Sequence, residues 1–325
     1  MLAVEDLHTH FRTPRGRVRA VDGVSFSLDR GRTLGIVGES GCGKSVLART
    51  VMGLLPSNAR VPPASRVLFD GRDLRGLSER ELRSVRGRRM AMIFQDPMTS
   101  LNPVMTCGAQ VVEALTWHMG LSRRAARDRA VELFTAVGIP EPARRVDHYP
   151  HQLSGGMRQR VAIAIALSCE PALLIADEPT TALDVTVQAE ILDLLNRQQR
   201  ERRMALILIT HDLGVVAGRT DEIAVMYAGR IVEQARTTVL FSRMRHPYTE
   251  ALLRSIPRLA DPPHTPLVTI AGRPPELIDP PPGCSFAPRC RYAADDCRRL
   301  APALAGDGHA FACWHPLGSP LGPPS

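Results

Sequence analysis

A short glycine-rich stretch with one lysine limits what this chain can fold into more than any other feature. It follows the pattern G-x-x-x-x-G-K-S and consists of Gly38, Glu39, Ser40, Gly41, Cys42, Gly43, Lys44 and Ser45. An apolar run at residues 34–37 precedes it, and residues 46–55 have the apolar spacing of a helix. Between a strand and a helix, such a loop turns backbone N–H groups inward above the positive end of the helix dipole. The stretch therefore predicts a phosphate-binding loop, with a glycine-rich turn that matches by chance as the alternative.

The basic residue of this loop differs from every other basic residue of the chain, because it is a lysine and the others are arginines. The chain has 41 lysines and arginines in total, and Lys44 is its single lysine. A compact ammonium fits inside a phosphate loop, whereas the guanidinium group of arginine is a planar fork. We therefore expect Lys44 to reach the β- and γ-phosphates of a nucleotide and Ser45 to place its hydroxyl on Mg²⁺.

Length and composition exclude several classes of protein. With 325 residues the chain can form two domains, and its 44% of hydrophobic residues is ordinary for a soluble globular protein. The sequence has no apolar stretch long enough to span a bilayer. Residues 1–6 lack the basic-then-apolar order of a signal peptide, so we expect the chain to stay in the cytoplasm.

The net charge of +8 raises the question of an anionic partner. The arginines are scattered along the chain rather than interleaved with aromatic residues, and only 4% of all residues are aromatic. We interpret the charge as solvated helix faces and expect no nucleic-acid partner. Attraction to a membrane surface is the minor alternative.

The hydrophobic periodicity predicts an α/β fold. Two antiparallel strands are expected at residues 6–11 and 18–28, and Phe11 is best placed to stack on an adenine, with a plain core phenylalanine as the alternative. Further strands are expected at 67–74, 90–94, 172–176 and 205–209, and helices at 78–88, 106–118, 122–137, 155–168 and 185–202. This order predicts a mostly parallel sheet with the phosphate loop, an antiparallel β subdomain, and an inserted helical subdomain at about 96–170 that begins with a turn-rich loop at 96–103.

Four polar residues follow the buried strands directly. They are Gln95, Asp177, Glu178 and His211. Because ligands of parallel sheets bind at the carboxyl ends of the strands, we expect these side chains to converge on the phosphate loop. Taken singly, Glu178 or His211 could be an ordinary polar residue at a strand end.

The C-terminal part differs in composition from the rest of the chain. From residue 257 onward it contains 15 of the 27 prolines and four of the seven cysteines. We therefore predict a nucleotide-binding domain at 1–240 and a small irregular, cysteine- and proline-rich C-terminal module at 241–325, which begins with a connecting helix at 241–256. The cysteines are Cys284, Cys290, Cys297 and Cys313.

In a reducing cytoplasm, such a cysteine cluster is more often metal-binding than disulfide-bonded. Four thiolates suit a 4Fe-4S cluster or structural zinc, although zinc sites usually contain closer cysteine pairs. Cysteines without metal are the third alternative. Cys107 and Cys169 are interpreted as ordinary residues, as is Cys42, although its place in the phosphate loop could make it sensitive to oxidation.

A second motif makes a family resemblance specific. Residues 153–160 resemble the signature sequence of ATP-binding-cassette ATPases, with Leu153, Ser154, Gly155, Gly156 and Met157 at its core. The other family elements stand in the expected order: the phosphate loop, the glutamine loop at Gln95, the Walker B strand at 173–177 with Glu178, the D-loop with Asp184, and the switch histidine His211. Together these motifs cover roughly residues 5–235.

The resemblance implies a role for each motif. Ser45, Gln95 and Asp177 would hold Mg²⁺, Glu178 would orient and polarise the attacking water, and His211 would contact the γ-phosphate. The signature sequence would close on ATP held by a partner subunit. One chain would then contribute two half-sites.

A closer likeness is to the ATP-binding subunits of bacterial oligopeptide and dipeptide permeases, which also resemble nickel importers. Residues 95–103, 246–253 and 283–292 carry it. The likeness implies an ATPase that energises peptide import, with a second, related but non-identical ATPase subunit, two transmembrane permease subunits and, indirectly, an extracytoplasmic peptide-binding protein. It also implies a peripheral location on the cytoplasmic side of the membrane. Some members carry a 4Fe-4S cluster at these cysteines, which favours iron-sulfur over zinc.

Two alternatives for the function remain. A nickel or other small-solute importer would contain the same nucleotide motifs. A soluble ATPase in repair or translation would usually contain two cassettes or long insertions, and this chain has one cassette.

Overall fold

The computed structural model describes residues 1–96, 100–181, 183–256, 269–278, 280 and 282–318. The chain divides into two compact units. The first unit comprises Met1–Leu28, Thr33–Arg75 and Thr210–Ser325, and the second comprises Asp29–Arg32 and Gly76–Ile209. Among the residues described, no helix combines the length and the apolar character that crossing a membrane requires.

Strands and helices alternate along much of the chain. The strands are β1 (Leu2–Thr13), β2 (Gly16–Leu28), β3 (Thr33–Val37), β4 (Ala59–Arg60), β5 (Arg66–Phe69), β6 (Arg72–Asp73), β7 (Met90–Ile93), β8 (Leu173–Asp177), β9 (Ala205–Thr210), β10 (Glu222–Tyr227), β11 (Arg230–Arg236) and β12 (His309–Phe311). The α-helices are α1 (Lys44–Val51), α2 (Glu79–Val85), α3 (Cys107–Met119), α4 (Arg123–Ala136), α5 (Pro142–Arg145), α6 (Gly155–Leu167), α7 (Val185–Arg202), α8 (Leu213–Val216), α9 (Thr237–Arg243), α10 (Pro247–Arg254) and α11 (Asp295–Arg299). Short 3-10 helices lie at Leu74–Gly76, Pro150–Gln152 and Ala287–Arg289.

The first unit contains the predicted antiparallel β subdomain. Its strand order is β2-β1-β5-β6, with β4 also paired to β1. The two long strands β1 and β2 alternate buried and exposed positions over much of their length, as expected for a sheet with one packed face.

The first unit also contains the strand that leads into the phosphate loop. Strand β3 is buried at all five positions and pairs in parallel with β10. Strand β11 pairs antiparallel with β10, and β12 pairs antiparallel with β11. Because β12 lies beyond the last cysteine-bearing helix, the C-terminal segment is joined to this sheet by main-chain hydrogen bonds.

The second unit contains the parallel strands β7, β8 and β9. The last residue of β9, Thr210, belongs to the first unit. Strand β8 pairs with both neighbours. Five helices of the second unit begin at a side chain that accepts a hydrogen bond from the first turn: Ser78, Thr106, Ser122, Ser154 and Asp184. These caps satisfy backbone N–H groups that have no partner within the helix.

The α/β fold, the antiparallel subdomain and the helices of the inserted region are confirmed, but several predicted boundaries are wrong. The strand expected at 67–74 is a hairpin of β5 and β6, because Asp70 and Gly71 turn the chain with positive φ (47° and 80°). The single helix expected over 241–256 is two helices, because Pro247 forces His246 into an extended conformation (φ −92°, ψ 130°). The helix expected at 78–88 ends at Val85, where Arg86 is extended and Gly87 has a positive φ. The strand expected to include Phe94 ends at Ile93.

Some predictions fall on parts of the chain outside the described residues. These are residues 97–99 of the loop expected at 96–103, residue 182 beside the D-loop aspartate, and residues 257–268, 279, 281 and 319–325 of the C-terminal module.

Candidate nucleotide site and cysteine cavity

The phosphate loop closes around its own lysine. Residues 38–45 connect β3 to α1, and Lys44 is the first residue of that helix. Its ammonium group donates to the carbonyl oxygens of Gly38 (2.7 Å) and Glu39 (3.0 Å), and the residue is 4% exposed. The loop therefore holds a positive charge at the start of a helix, where an anion is favoured.

Two glycines of the loop are required by close contact with other backbone segments. A Cβ atom at Gly38 would collide with the carbonyl oxygen of Met226, and one at Gly43 would collide with that of Ala20. Gly43 also has φ 106°, a conformation that side chains rarely adopt. The loop thus lies directly on β10 and β2, and its path leaves no room for a side chain at either position.

Residues distant in sequence hold the second position of the loop. The backbone N–H of Glu39 donates to the hydroxyl oxygen of Tyr248 at 2.8 Å. The Glu39 carboxylate forms a two-pronged ion pair with Arg289, at 2.7 and 2.9 Å. Sequence reasoning missed both partners, because no local spacing relates positions 209 and 250 residues apart to a phosphate loop.

Phe11 and His211 both lie in the first unit. Phe11 is half-buried in β1, where it stands opposite Val18 of β2 and Ala59 of β4. His211 is exposed and directly follows β9. The next residue, Asp212, begins α8 by accepting a hydrogen bond from the N–H of Gly214 at 2.7 Å.

The second unit brings Gln95 and Glu178 together. Every residue of β8 is buried, and Asp177 at its end is 1% exposed. Glu178 follows in a left-handed conformation (φ 46°) that turns the chain out of the strand. Its carboxylate accepts hydrogen bonds from the Gln95 amide at 3.0 Å and from the Thr181 hydroxyl at 3.1 Å. Both bonds fix the orientation of a carboxylate that can act as a base.

The signature sequence forms an exposed turn at the start of α6. Leu153 is buried, whereas Ser154 and Gly155 are exposed. The Ser154 hydroxyl oxygen accepts from the N–H of Met157 at 3.3 Å. A 13-residue helix that begins at the surface presents N–H groups and its dipole to solvent, as an anion site for another molecule would require.

The D-loop lies beside the signature turn within the same unit. A Cβ atom at Gly156 would be 2.8 Å from Cγ1 of Val187, and one at Gly155 would be 3.5 Å from Cδ2 of Leu183. Asp184 caps the helix that carries Val187, and its carboxylate accepts a hydrogen bond from the backbone N–H of Val187 at 2.9 Å. The two turns are therefore packed against each other.

The four C-terminal cysteines line one cavity. Cys284, Cys290, Cys297 and Cys313 share its wall with His246, Trp314 and other residues. All four are free thiols, and burial raises the pKa of each, that of Cys313 to about 12. A cation would therefore be needed to hold them as thiolates at neutral pH.

The spacing of the thiols tests which metal group they could hold. Zn–S bonds of about 2.3 Å in a tetrahedron put the four sulfur atoms about 3.8 Å apart. Within the described residues, no three of the four cysteine sulfur atoms lie within 4.8 Å of one another. A thiol set wider than one zinc ion needs fits a larger group.

A separate polar network lies at the β1–β2 pair. Asp22 accepts two hydrogen bonds from Arg230, at 2.6 and 2.9 Å, and one from His8 at 3.1 Å. Burial raises the pKa of Asp22, but the hydrogen bonds and charge of Arg230 outweigh it, and the pKa lies below its usual value. His8, His10 and Asp22 are close enough to hold a metal ion. Because Arg230 already neutralises the carboxylate, we interpret the group as an ion-pair network.

Comparisons with known proteins agree with this arrangement. The family model "ABC transporter" matches residues 21–181, and "Oligopeptide/dipeptide transporter, C-terminal region" matches residues 232–297. The dipeptide transport ATP-binding protein DppD of Bacillus subtilis is 52% identical over 97% of this chain and 94% of its own length. The chain belongs to the ATP-binding subunits of dipeptide and oligopeptide ABC transporters.

Other members of this family give the same result. The oligopeptide transport ATP-binding protein OppD of Salmonella typhimurium is 50% identical over 98% of this chain and 94% of its own. Among solved structures, the dimeric post-hydrolysis state of the ATP-binding cassette MJ0796, bound to ADP and Pi, matches with a TM-score of 0.66 and 28% identity. The match covers 73% of this chain and 99% of that one. The predicted family and the ATPase activity are confirmed.

Proposed function

We propose that this chain is the subunit that binds and hydrolyses ATP to energise the import of dipeptides or oligopeptides. The observation that carries the proposal is the presence of both halves of a cassette ATP site in one chain. A phosphate loop closed around Lys44 lies in the first unit, and an exposed signature turn begins α6 in the second. The C-terminal match at residues 232–297 favours peptides over nickel as the cargo.

For hydrolysis, we assign the chemistry to residues that the fold holds rigid. Lys44 and the N–H groups of residues 38–45 bind the phosphates, and Phe11 stacks on the adenine. The Gln95 amide holds the carboxylate of Glu178, which orients and polarises the attacking water. His211 contacts the γ-phosphate. When bound, Mg²⁺ neutralises charge on the phosphate oxygens, and Ser45, Gln95 and Asp177 are the residues that would hold it.

The exposed signature turn requires a partner. Ser154, Gly155 and the first N–H groups of α6 point an anion site into solvent. We infer that a second ATP-binding subunit, related but not identical, supplies ATP to this turn, and that its own signature completes the site at Lys44. The dimeric state of the matching cassette MJ0796 supports this arrangement. Asp184, packed behind the turn, would lie at the same interface.

We propose that the subunit binds to the cytoplasmic side of the membrane through two transmembrane permease subunits, and that an extracytoplasmic peptide-binding protein delivers the cargo. The helical region of the second unit offers exposed apolar side chains for such contacts: Val104 is 79% exposed and Trp117 77%.

For the cysteine cavity we propose a 4Fe-4S cluster, bound by Cys284, Cys290, Cys297 and Cys313. The wide thiol spacing favours it over zinc. Cys297 is buried and the other three thiols are half-buried, and in a proline-rich segment this also suggests a structural role for the bound group.

The hydrolysis assignment is tested with Glu178→Gln in the assembled transporter. We expect ATP turnover to fall about 100-fold or more while nucleotide binding is retained, since the variant loses the base and keeps the shape. Lys44→Ala should weaken binding itself. The control is Glu190→Gln, a change of the same kind at an exposed residue paired with Arg160. Unchanged turnover in Glu178→Gln would refute the assignment.

The cargo and the cluster need separate measurements. Uptake of a labelled dipeptide by cells with the assembled transporter should stop with Glu178→Gln, whereas uptake of Ni²⁺ instead of peptide would overturn the peptide assignment. Protein purified without oxygen should contain about four irons and four sulfides per chain and absorb broadly at about 400 nm. Zinc at one per chain, or no metal, would overturn the cluster assignment and leave the ATPase assignment intact.

A further inference from the structure

Arg289 is a buried arginine in the cysteine-bearing segment that reaches the phosphate loop. It ends the 3-10 helix Ala287–Arg289, directly before Cys290, and its side chain is 3% exposed. Its guanidinium group donates to both carboxylate oxygens of Glu39, at 2.7 and 2.9 Å. It also donates to the carbonyl oxygens of Ile270 at 3.2 Å and Ala271 at 2.9 Å. Several donors of this planar fork are thus used in one fixed orientation.

Glu39 is held at each of its polar groups. Its carboxylate binds Arg289, and its backbone N–H donates to Tyr248 at 2.8 Å. Its carbonyl oxygen accepts from the ammonium group of Lys44 at 3.0 Å. The ion pair to Arg289 and the hydrogen bond to Tyr248 therefore tether both the side chain and the backbone of the residue whose carbonyl orients the lysine.

The charge of Glu39 gives the contact a second consequence. A carboxylate in a loop that binds a triphosphate repels the ligand unless a cation neutralises it. Glu39 is 24% exposed, so solvent screens its charge only in part. Arg289 provides the opposite charge and draws the carboxylate toward the C-terminal segment.

We propose that Arg289 is a positioning residue for nucleotide binding. It neutralises Glu39 and fixes the phosphate loop around Lys44, which makes the cysteine-bearing segment a structural part of the ATP site. The proposal rests on the assignment of residues 38–45 to the phosphates, so the experiment includes Lys44→Ala as a test of that assignment alone.

The experiment measures the dissociation constant of a fluorescent ATP analogue for the full-length subunit. Arg289→Ala should weaken binding about tenfold, because a partly buried carboxylate is left without its partner beside the phosphates. Arg289→Lys should fall between this variant and the unmodified protein, since an ammonium group restores the charge but not the two-pronged geometry. The matched control is Arg291→Ala, on the other side of Cys290, whose side chain pairs with Glu250 at 2.9 Å.

The double variant Arg289→Ala/Glu39→Gln separates positioning from general damage. Removing the unpaired charge should restore the affinity to within about threefold of the unmodified protein. A segment that had simply lost its structure would not be rescued by a change in the loop. The metal content and the unfolding midpoint of each variant are measured in parallel.

Three results would overturn the proposal: unchanged affinity in Arg289→Ala, an equal loss in Arg291→Ala, or no recovery in the double variant. If Arg289→Ala does not fold, Arg289→Lys decides, because it keeps the charge, loses the two-pronged geometry and should still weaken binding. Unchanged affinity in Lys44→Ala would instead refute the assignment of the phosphate loop.

Discussion

Two adjacent glycines in the signature turn should respond in opposite ways to the same substitution. A Cβ atom at Gly155 would lie 3.5 Å from Cδ2 of Leu183, an ordinary contact, whereas one at Gly156 would lie 2.8 Å from Cγ1 of Val187. Val187 is in the first turn of α7, where a β-branched side chain has one strongly preferred rotamer. It therefore cannot swing away, and alanine at position 156 must push α6 and α7 apart.

The magnitude follows from two opposing terms. Alanine in place of glycine stabilises a helix interior by about 1 kcal/mol, and by less in the first turn. Forcing a methyl group into a packed contact costs about 1 to 3 kcal/mol. Gly156→Ala should therefore destabilise the protein by about 1 to 2 kcal/mol, and Gly155→Ala should leave the stability unchanged or slightly higher.

The assay is a double-mutant cycle in chemical denaturation. Val187→Ala removes the opposing methyl groups, so the combination Gly156→Ala/Val187→Ala should be more stable than the sum of the single changes predicts, by about 1 kcal/mol or more. The same cycle with Gly155→Ala should show no coupling. Equal stability of the two glycine variants, or additivity in the Gly156 cycle, would refute the reasoning.

Three further predictions concern the first unit. Burial raises the pKa of the Cys42 thiol, and the residue is 4% exposed. N-ethylmaleimide at pH 7 should therefore label this thiol slowly until the protein is denatured. Fast labelling of the native protein would contradict this and support the sensitivity to oxidation expected from its place in the loop. Because the pKa of Asp22 is lowered, largely by Arg230 acting against burial, the stability advantage of the protein over Asp22→Asn should be complete above about pH 5 and decrease as the pH falls further. An advantage that does not decrease at all between about pH 5 and pH 2 would contradict this. The buried hydroxyls of Thr9 and Thr50 lie 2.8 Å apart, so Thr9→Val should cost about 1 kcal/mol of unfolding free energy and Thr9→Ser less.

Local patterns predicted the parts of the site that are contiguous in sequence. The strand, loop and helix around Lys44 follow from one apolar run, two required glycines and a helical period. Gln95 and Glu178 lie 83 residues apart, yet their contact was predictable, because each follows a strand of one parallel sheet. The helix break at Pro247 was also open to prediction, since the residue before a proline avoids the helical conformation.

The residues that support the phosphate loop from outside could not be predicted in this way. Tyr248 and Arg289 reach Glu39 because the C-terminal segment packs within the first unit, where β12 pairs with β11. No periodicity or motif relates a tyrosine in a helix and an arginine beside a cysteine to a loop near the N-terminus. Such contacts depend on tertiary packing, which single-sequence patterns do not contain.

The two cations around the phosphate loop explain why the chain keeps one lysine among its arginines. Arg289 binds two carboxylate oxygens and two carbonyls at once, which uses the width of a planar fork. Lys44 lies inside the loop, where its ammonium group reaches the carbonyls of Gly38 and Glu39 from a site that is 4% exposed. A compact ammonium suits these two convergent carbonyls, whereas a guanidinium group is a wider planar fork. The geometry of each acceptor set, rather than charge alone, therefore decides which cation stands at each position.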